Sequence, residues 1–336
     1  MTIKNFSKIK LNFKIKTFKL KDEFKISRVS KKIVKVIDIS LKDGVNSAIA
    51  ECVPYQRYNE KLDDILKYLR MNKDKLEKII IDNKLEAIPF LSLQNTLSTS
   101  ILSLKQKKRK VNFFTSNKIK KKIVTSITIP IFNLKKTKKI LKKFTKTKII
   151  KIKLNQKEVI DKLILIKEIC PKSKIIIDAN ESWSKPFLQT NIKKLEQFNI
   201  LFIEQPFPQG KDHYLKNIKS KINFCADESF HIKNKNLIKN IQHYNYVNLK
   251  LDKFGTHENI LKYIAIAKKL KKKIMLGCMV SSSLSIYPAL RYFNNCNYYD
   301  LDGAYFLKKD RLRGITYRDG LAKINFKFYQ PKKKAP

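Results

Sequence analysis

Eight short β-rich runs recur from about residue 122, and helical stretches separate them. The stretches 156–169 and 258–270 place apolar residues three and four positions apart, which is the spacing of a buried helix face. The eight runs are VTSITI (124–129), TKIIKIKL (147–154), SKIIIDA (173–179), NILFIEQ (199–205), KINFCAD (221–227), YVNLKL (246–251), KKIMLGC (272–278) and NYYDLDG (297–303). Alternating strands and helices predict a parallel sheet, and eight strands can close a barrel. We therefore predict an α/β fold with a modified (β/α)8 TIM-type barrel.

Charged residues end most of these strands, and successive positions lie 23 to 27 residues apart. From the second strand onward the positions are Lys153, Asp178, Glu204, Asp227, Lys250, the neighbourhood of Gly277, and the pair Asp300 and Asp302. One strand–helix unit takes about this length, so one such position recurs in each unit. The carboxyl ends of barrel strands meet on one face, where active sites of this fold lie. The spacing predicts a polar site on that face.

Three carboxylates come from three consecutive strands of this set. Asp178, Glu204 and Asp227 each close an apolar run, and burying them unpaired would be costly. Together they form an oxygen-rich set, which suits a hard cation such as Mg²⁺. Zinc is a poorer match because no histidine accompanies them. We expect a magnesium site formed by these three side chains.

Two lysines flank the predicted metal, with Lys153 on one side and Lys250 on the other. Desolvation and nearby positive charge lower the pKa of a lysine, and a neutral lysine is a competent base. Two bases on opposite faces of one carbon can exchange its proton with inversion. The metal would bind a substrate carboxylate and stabilise the enediolate that forms when the α-proton leaves.

The segments that carry these residues resemble the muconate-lactonizing branch of the enolase superfamily. The resemblance is greatest to the dipeptide epimerases, such as the L-Ala-D/L-Glu epimerases, and it covers most of residues 20–310. The segments are, in chain order, ECVPYQRY, KIKLN, IIIDANESW, FIEQPFP, CADESFH, NLKLDKFG, MLGCMVSSSLS and YYDLDGAYFL. Within this branch, the DLDG motif is typical of the dipeptide epimerases.

The resemblance implies a Mg²⁺-dependent epimerase, an isomerase acting on amino-acid derivatives. It would remove and return the α-proton of the C-terminal residue of a dipeptide such as L-Ala-L-Glu. Its metal ligands would be Asp178, Glu204 and Asp227, and its acid/base pair would be Lys153 and Lys250. The natural setting implied is the recycling of murein peptides.

The resemblance also implies residues that bind the substrate. Lys151 would help to neutralise the carboxylate or enediolate, and Asp300 and Asp302 would bind the α-ammonium of the dipeptide. Arg28 is a candidate for binding a side-chain carboxylate of the substrate, because an arginine can contact a carboxylate through two nitrogens. Arg57 is a second candidate of the same kind.

The chain before the barrel has a different pattern. Residues 1 to about 55 alternate apolar and polar, which predicts a meander of antiparallel strands with a hairpin turn near Asp43 and Gly44. Residues 59 to about 107 change to a helical period. We therefore expect an α+β capping domain over 1–115 and a catalytic barrel over 116–311. Two short strands in 312–330 are expected to pack back on the capping domain.

The formal net charge of +46 is the most unusual feature of the composition. One explanation is binding to nucleic acid or to an anionic membrane. The alternative is codon bias in an AT-rich genome, because lysines are spread along the whole chain and arginines are few. Nucleic-acid sites favour arginine and concentrate charge on one face. We expect neither a nucleic acid nor a membrane to be required.

The five cysteines are odd in number, and no two have CxxC spacing. This pattern indicates reduced thiols and a cytoplasmic protein. No apolar run reaches the roughly 18 residues that a membrane-spanning helix needs. A homo-oligomer is possible, and the sequence leaves it open.

Two other functions remain open at this stage. Another reaction of the same branch, cycloisomerisation or o-succinylbenzoate synthesis, would use the same metal and lysines. It would not need Asp300 and Asp302 to hold an ammonium. A non-catalytic, polybasic nucleic-acid binder would instead show DNA binding that depends steeply on salt.

Overall fold

A computed structural model describes residues 8–116 and 118–329 of the chain. The N-terminal sheet has three antiparallel strands, β1 (Lys10–Lys25), β2 (Ser30–Lys42) and β3 (Ser47–Cys52). The predicted meander is confirmed for this part, and residues 1–7 lie outside the described residues. The β2–β3 turn is also where the sequence predicts it. Asn46 N donates a hydrogen bond to Asp43 Oδ1 at 2.8 Å, and Gly44 has φ +91°.

Three helices pack on this sheet, and a fourth, short helix follows them. They are α1 (Leu62–Met71), α2 (Lys73–Ile81), α3 (Leu91–Lys108) and α4 (Phe113–Ser116), and Phe113 of α4 packs against the barrel core. Because side chains alternate across a strand, Ile37 and Ile39 of β2 face the same side of the sheet. They share a buried core with Leu93 and Leu97 of α3. This apolar contact holds the helices to the sheet.

The barrel contains eight parallel strands in chain order. They are β5 (Ile127–Ile129), β6 (Ile149–Lys153), β7 (Lys174–Asp178), β8 (Ile200–Glu204), β9 (Asn223–Ala226), β10 (Tyr246–Leu249), β11 (Lys273–Gly277) and β12 (Tyr298–Asp300). A short strand, β4 (Lys122–Val124), precedes them. Ser126 N donates to Tyr299 O at 2.9 Å and joins the first and last strands. All eight predicted strands are confirmed.

Helices cover the outside of the barrel. They are α5 (Leu134–Leu141), α6 (Val159–Ile169), α7 (Lys185–Leu195), α8 (Leu237–Ile241), α9 (His257–Lys269) and α10 (Ser283–Ala289). Short 3-10 helices lie at Gln56–Tyr58, Leu85–Ala87, Asp212–Asn217, Leu251–Lys253, Leu290–Asn295 and Gly303–Phe306. The helices predicted at 156–169 and 258–270 are α6 and α9. None of the helices in 8–116 and 118–329 has the length and apolar character needed to span a membrane.

Alternation along the strands sets the inside of the barrel. An apolar layer fills its lower part, formed by Ile149, Ile176, Phe202, Cys225, Tyr246 and Met275. Successive inward positions on a strand are two residues apart. The next inward residues are therefore polar, and they include Lys151 on β6, Asp178 on β7 and Glu204 on β8. The two-residue alternation that forms the apolar layer therefore also places these polar side chains at the open end of the barrel.

The C-terminal segment does not add to the capping sheet as expected. Its strands, β13 (Thr316–Arg318) and β14 (Leu321–Lys323), form a hairpin, and β14 pairs with β4 next to the barrel. The expectation is wrong for these strands because Ala322 and Ile324 are buried in the barrel core. This pairing extends the barrel's own framework.

Arg311 joins the two domains just before that hairpin. Its Nη1 donates to Asp38 Oδ2 at 3.0 Å, and its Nη2 donates to Glu51 Oε2 at 2.5 Å. Arg311 Nε also donates to Ser282 Oγ at 2.6 Å. Asp38 and Glu51 belong to β2 and β3, so one guanidinium neutralises two buried carboxylates of the capping sheet.

Candidate active site

A cavity of about 610 Å³ lies between the capping sheet and the open end of the barrel. The capping domain contributes Phe24 and Tyr55 to its wall, and the barrel contributes Lys153, Lys250 and Asp302. Apolar contacts around the cavity hold the two domains together, as in the cluster of Val34 and Val36 with Met279 and Leu307. The cavity therefore lies where the strand ends predict a polar site.

A larger and more open cleft of about 960 Å³ lies elsewhere between the domains. Its wall carries Lys16, Lys19 and Lys309, with Asp310 as its acidic residue. Asp310 Oδ1 already accepts a hydrogen bond from Ser283 N at 3.0 Å. Because no set of carboxylates and lysines converges in this cleft, we place the chemistry in the smaller cavity.

The two lysines predicted as acid and base face the cavity from opposite sides. Lys153 ends β6 and Lys250 follows β10, the second and sixth strands of eight. Lys153 Nζ donates to Asp178 Oδ2 at 2.7 Å and to Asn180 Oδ1 at 3.1 Å. Lys250 Nζ donates to Asp227 Oδ2 at 2.6 Å. Burial lowers the pKa of Lys250, but the carboxylates of Asp227, Glu204 and Glu228 together outweigh burial and raise it, which is opposite to the lowering expected from the sequence.

Lys151 lies below these lysines and is surrounded by carboxylates. Its Nζ is 3.1 Å from Asp178 Oδ2, 2.6 Å from Glu204 Oε2 and 2.7 Å from Asp300 Oδ2. Burial lowers the pKa of this ammonium, and the three carboxylates outweigh burial and raise it well above its usual value. Lys151 is therefore a fixed positive charge beneath the cavity.

Among the three carboxylates predicted to bind the metal, Glu204 is the one whose negative charge is least balanced by neighbouring positive charge. Burial and the neighbouring Asp178 charge raise its pKa to about 8. Its Oε1 accepts from Asn248 Nδ2 at 2.7 Å, while Glu204 Oε2 and Asn248 Oδ1 have no well-directed hydrogen bond within the described residues. A Cβ at Gly277 would lie 2.2 Å from Asn248 Oδ1, so the glycine leaves room for this amide.

The donor set at the open end fits a hard cation. Asp178, Glu204 and Asp227 are buried, and the lysines beside Asp178 and Asp227 outweigh burial and lower the pKa of both carboxyls. In residues 8–116 and 118–329, no three Asp, Glu, His or Cys side chains form a ready-made metal site, because ammonium groups lie between the carboxylates. Glu204 Oε2 is ion-paired with Lys151 but accepts no well-directed hydrogen bond, and the all-oxygen donor set of the three carboxylates matches what Mg²⁺ prefers.

Lys253 is a residue of the site that the sequence reasoning missed. Its fully buried Nζ donates to Asp227 Oδ1 at 2.8 Å, to Asp227 O at 2.7 Å and to Asn248 O at 2.6 Å. Burial lowers its pKa. The segment NLKLDKFG contains the feature that could have pointed to Lys253, because this lysine follows Lys250 by three residues and lies on a 3-10 helix. Its role is to fix the carboxylate of Asp227.

Asp300 and Asp302 both reach the cavity, but they differ in their partners. Asp300 Oδ1 accepts from Ser126 Oγ at 2.7 Å, and its Oδ2 accepts from Lys151 Nζ at 2.7 Å. Asp302 Oδ2 accepts from Thr128 N at 2.5 Å. Burial and the Asp300 charge raise the pKa of Asp302 to about 7. The charge of Asp302 is therefore less balanced by its neighbours than that of Asp300, so Asp302 is the better partner for an incoming cation.

Arg28 and Arg57 are already paired with acidic residues of the barrel. Arg28 Nη1 donates to Glu181 Oε2 at 2.5 Å and to Asn180 O at 2.7 Å, and its Nη2 donates to Glu228 Oε1 at 2.6 Å. Arg57 contacts both Glu181 oxygens at 2.7 and 2.8 Å. Neither arginine is among the residues that line the cavity. Direct binding of substrate by either one stays a prediction, and this geometry does not favour it.

Comparison with known families identifies the family to which this fold belongs. Residues 136–323 match the family model described as enolase C-terminal domain-like, which is more than half of the 336 residues. The chain belongs to the enolase superfamily. The resemblance seen in the strand-end motifs is thereby confirmed. In this superfamily member the barrel and the N-terminal sheet enclose the cavity together.

Two curated relatives extend over most of this enolase superfamily chain. It is 34% identical over 280 residues to the N-acetyl-D-glutamate racemase of Pseudoalteromonas sp., covering 81% of this chain and 87% of the relative. It is 27% identical over 302 residues to the L-Ala-D/L-Glu epimerase of Escherichia coli K12, covering 88% and 94%. Both names describe inversion at an amino-acid α-carbon.

Solved structures of the superfamily share the whole fold. An enolase family member from Agrobacterium tumefaciens, with homology to dipeptide epimerases and with bound sodium and L-Ala-L-Glu, is 28% identical. Its TM-score is 0.86, and the match covers 94% of this chain and 98% of that one. A dipeptide epimerase from Methylococcus capsulatus, complexed with Mg and L-Arg-D-Lys, is 22% identical with a TM-score of 0.83 over 94% and 97%. The second likeness concerns the fold alone.

Proposed function

We propose that this chain is a Mg²⁺-dependent epimerase that inverts the α-carbon of the C-terminal residue in a dipeptide such as L-Ala-L-Glu. One observation carries the proposal. Lys153 and Lys250 come from the second and sixth strands of an eight-stranded barrel and line one cavity. A substrate held between them presents opposite faces of one carbon to two amines.

The two lysines would divide the proton transfer between them. One acts as a neutral amine and takes the α-proton, and the other acts as an ammonium and returns a proton to the opposite face. After one turnover the two protonation states are exchanged, and both amines regain their starting form through solvent. Lys151 lies beneath, and its fixed charge would offset the charge that develops on the substrate carboxylate.

Asp178, Glu204 and Asp227 would hold the cation, with Asn248 and Lys253 fixing two of them through hydrogen bonds. A bound Mg²⁺ would supply Lewis acidity that lowers the pKa of the substrate's α-proton. Chelation is therefore expected to stop turnover, and added Mg²⁺ is expected to restore it.

The comparisons favour an acylated glutamate as the substrate. The racemase name contains N-acetyl-D-glutamate and the epimerase name contains L-Ala-D/L-Glu, so both substrates carry an acyl group on the nitrogen of glutamate. N-acetylglutamate racemisation is thus a second candidate, favoured by the 34% identity of that relative. Asp302 separates the two candidates, because only a dipeptide brings an ammonium for this carboxylate to bind.

The test is proton exchange in D₂O with Mg²⁺ and L-Ala-L-Glu, followed by mass spectrometry and proton NMR. Wild type is expected to incorporate deuterium at the α-carbon and to form the L,D epimer. Lys153→Ala and Lys250→Ala should each lower epimerisation by about 10²–10⁴-fold. Each variant should still exchange the epimer whose α-hydrogen faces the remaining lysine. Lys174→Ala, at the other end of a barrel strand, is the matched control.

Asp302→Asn decides between the dipeptide and the N-acetyl substrate. If the dipeptide is natural, this variant loses activity on L-Ala-L-Glu and keeps any activity on N-acetyl-L-glutamate. A wild type that prefers N-acetyl-L-glutamate would favour the racemase. Folded, metal-loaded protein with no exchange on either would shift the assignment to cycloisomerisation or o-succinylbenzoate synthesis. Salt-dependent DNA binding by the same inactive protein would instead favour a nucleic-acid binder.

The cellular setting proposed with this function is the recycling of murein peptides in the cytoplasm. It follows from the dipeptide assignment and from the pattern of free cysteines. Small-molecule dipeptides are the proposed partners, and nucleic acid and membrane are not required.

A further inference from the structure

Gln205 follows Glu204 at the end of β8 and has an unusual backbone conformation. Its side chain is fully buried, and its φ is +37°. Residues other than glycine seldom adopt a positive φ, because their Cβ atom then crowds the backbone. Such a conformation persists only where surrounding contacts stabilise it, and it occurs most often beside functional groups. The contacts of the Gln205 amide therefore need an explanation.

The oxygen of this amide binds the backbone of the next metal-ligand segment. Gln205 Oε1 accepts hydrogen bonds from Asp227 N at 3.0 Å and from Ser229 N at 3.1 Å. Asp227 is thus held at two places, because Lys253 binds its carboxylate and Gln205 binds its backbone. Since Gln205 is the residue after Glu204, these bonds fix the end of β9 relative to the end of β8.

The nitrogen of the amide lies in a buried polar network. Gln205 Nε2 donates to Phe207 O at 2.9 Å, and it lies 2.9 Å from Ser229 Oγ and 3.1 Å from Tyr244 OH. Both hydroxyls donate to Asp212 Oδ1, Ser229 at 2.5 Å and Tyr244 at 2.7 Å. Asp212 is buried, and its hydrogen bonds in the described part of the chain come from neutral groups.

The Asp212 carboxylate decides which end of the amide faces the metal-ligand segment. An amide has a donor end and an acceptor end of nearly equal shape. The hydroxyls of Ser229 and Tyr244 give their protons to Asp212, so they offer only lone pairs to Gln205. The NH₂ group therefore belongs on this side, and the oxygen is left to accept from Asp227 N.

We propose that Gln205 is a positioning residue that fixes Asp227 relative to Glu204 and thereby favours Mg²⁺ over the larger Ca²⁺. The inference rests on the metal site of the proposed function. Mg²⁺ demands short, near-ideal octahedral coordination, whereas Ca²⁺ accepts longer distances and variable geometry. A less firmly held Asp227 should therefore cost more affinity for Mg²⁺ than for Ca²⁺. Gln205 is not among the residues that line the cavity, so it acts through the ligand and not on the substrate.

Calorimetric titration with Mg²⁺ and with Ca²⁺ tests this role. In Gln205→Met, Mg²⁺ affinity should fall about 10–100-fold, and the preference for Mg²⁺ over Ca²⁺ should fall about tenfold. Gln205→Asn should do the same, because asparagine tolerates the positive φ but is one methylene too short to reach Asp227 N. This second variant serves if the first does not fold. Gln197→Met makes the same change at an exposed position and should alter neither value.

Tyr244→Phe separates positioning from stability. It removes a hydroxyl of the network but leaves the bond from Asp227 N to the amide oxygen. The midpoint of urea unfolding should fall, and the preference for Mg²⁺ over Ca²⁺ should stay at the wild-type value.

Three results would overturn the inference. They are an unchanged cation preference in the folded Gln205 variants, an equal loss of affinity for both cations, and a loss of preference in Tyr244→Phe as large as in Gln205→Asn. Absence of Mg²⁺ binding by wild type would overturn it too. Turnover is no part of this readout, so a wild type that binds Mg²⁺ but epimerises no substrate would contradict the proposed function alone.

Discussion

Replacing Arg311 by methionine is expected to destabilise the protein strongly, because one guanidinium serves two buried carboxylates. The side chain of Arg311 is 16% exposed, whereas those of Asp38 and Glu51 are 2% and 0% exposed. Glu51 would keep its hydrogen bonds from Ser282. Asp38 would lose the side-chain partner that the structure gives it. Methionine preserves much of the apolar stem and removes the charge.

The magnitude follows from the loss of an ion pair inside the domain interface. Breaking a buried pair from one side costs about 3–5 kcal/mol in free energy of unfolding. We expect ~3 kcal/mol, because the partly exposed position lets water reach the carboxylates. Burial already raises the pKa of Glu51, and Arg311 opposes that rise. Without the arginine the carboxyl pKa rises further, so the penalty grows as pH increases and shrinks in acid.

Urea unfolding measures this cost, with circular dichroism for the whole chain and fluorescence of Trp183 for the barrel. Arg318→Met is the matched control, because its side chain is 94% exposed and its loss should cost less than about 0.5 kcal/mol. The same urea midpoint for Arg311→Met and for this control would refute the reasoning. So would a difference in free energy of unfolding between the two variants that is as large at about pH 4 as at about pH 8.

Three further changes test other parts of the structure. Lys253→Met removes the ammonium that fixes Asp227, and Mg²⁺ affinity by calorimetry should fall about 10–100-fold. Gly277→Ala should push the Asn248 amide from Glu204 and lower turnover about a hundredfold, while circular dichroism stays unchanged. Burial raises the pKa of Asp252 to about 7, so ionisation costs stability as pH rises through that range. Asp252→Asn should therefore become increasingly more stable than wild type as pH rises from about 4, by ~2–4 kcal/mol above about pH 8 in urea unfolding.

The barrel and the main side chains of the site could be predicted because the sequence carries two repeats, one within each strand and one from strand to strand. Inward positions repeat every two residues along each strand, and strands repeat about once per strand–helix unit. The positions of Lys153, Asp178 and Glu204 in this pattern are therefore enough to predict them as site residues. The barrel topology then places all three on the face formed by the carboxyl ends of the strands.

Other features depend on contacts between distant segments, which a period does not encode. Lys253 lies on a short 3-10 helix, and only the fold shows that its ammonium reaches back to Asp227. Arg28 was a candidate because an arginine can contact a carboxylate through two nitrogens. In the structure, its guanidinium already donates hydrogen bonds to Glu181 and Glu228. The terminal hairpin has no charge or spacing that distinguishes β4 from the capping sheet as its partner.

The pairing of Arg28 and Arg57 with Glu181 has a consequence for the rate of turnover. Glu181 is a barrel residue in a left-handed conformation, with φ +67°, and both arginines belong to the capping domain. Any path that widens the cavity by lifting that part of the cap must separate these charges. If product leaves by that path, these ion pairs oppose its release. Higher ionic strength weakens partly exposed ion pairs, so product dissociation is expected to become faster as salt is added.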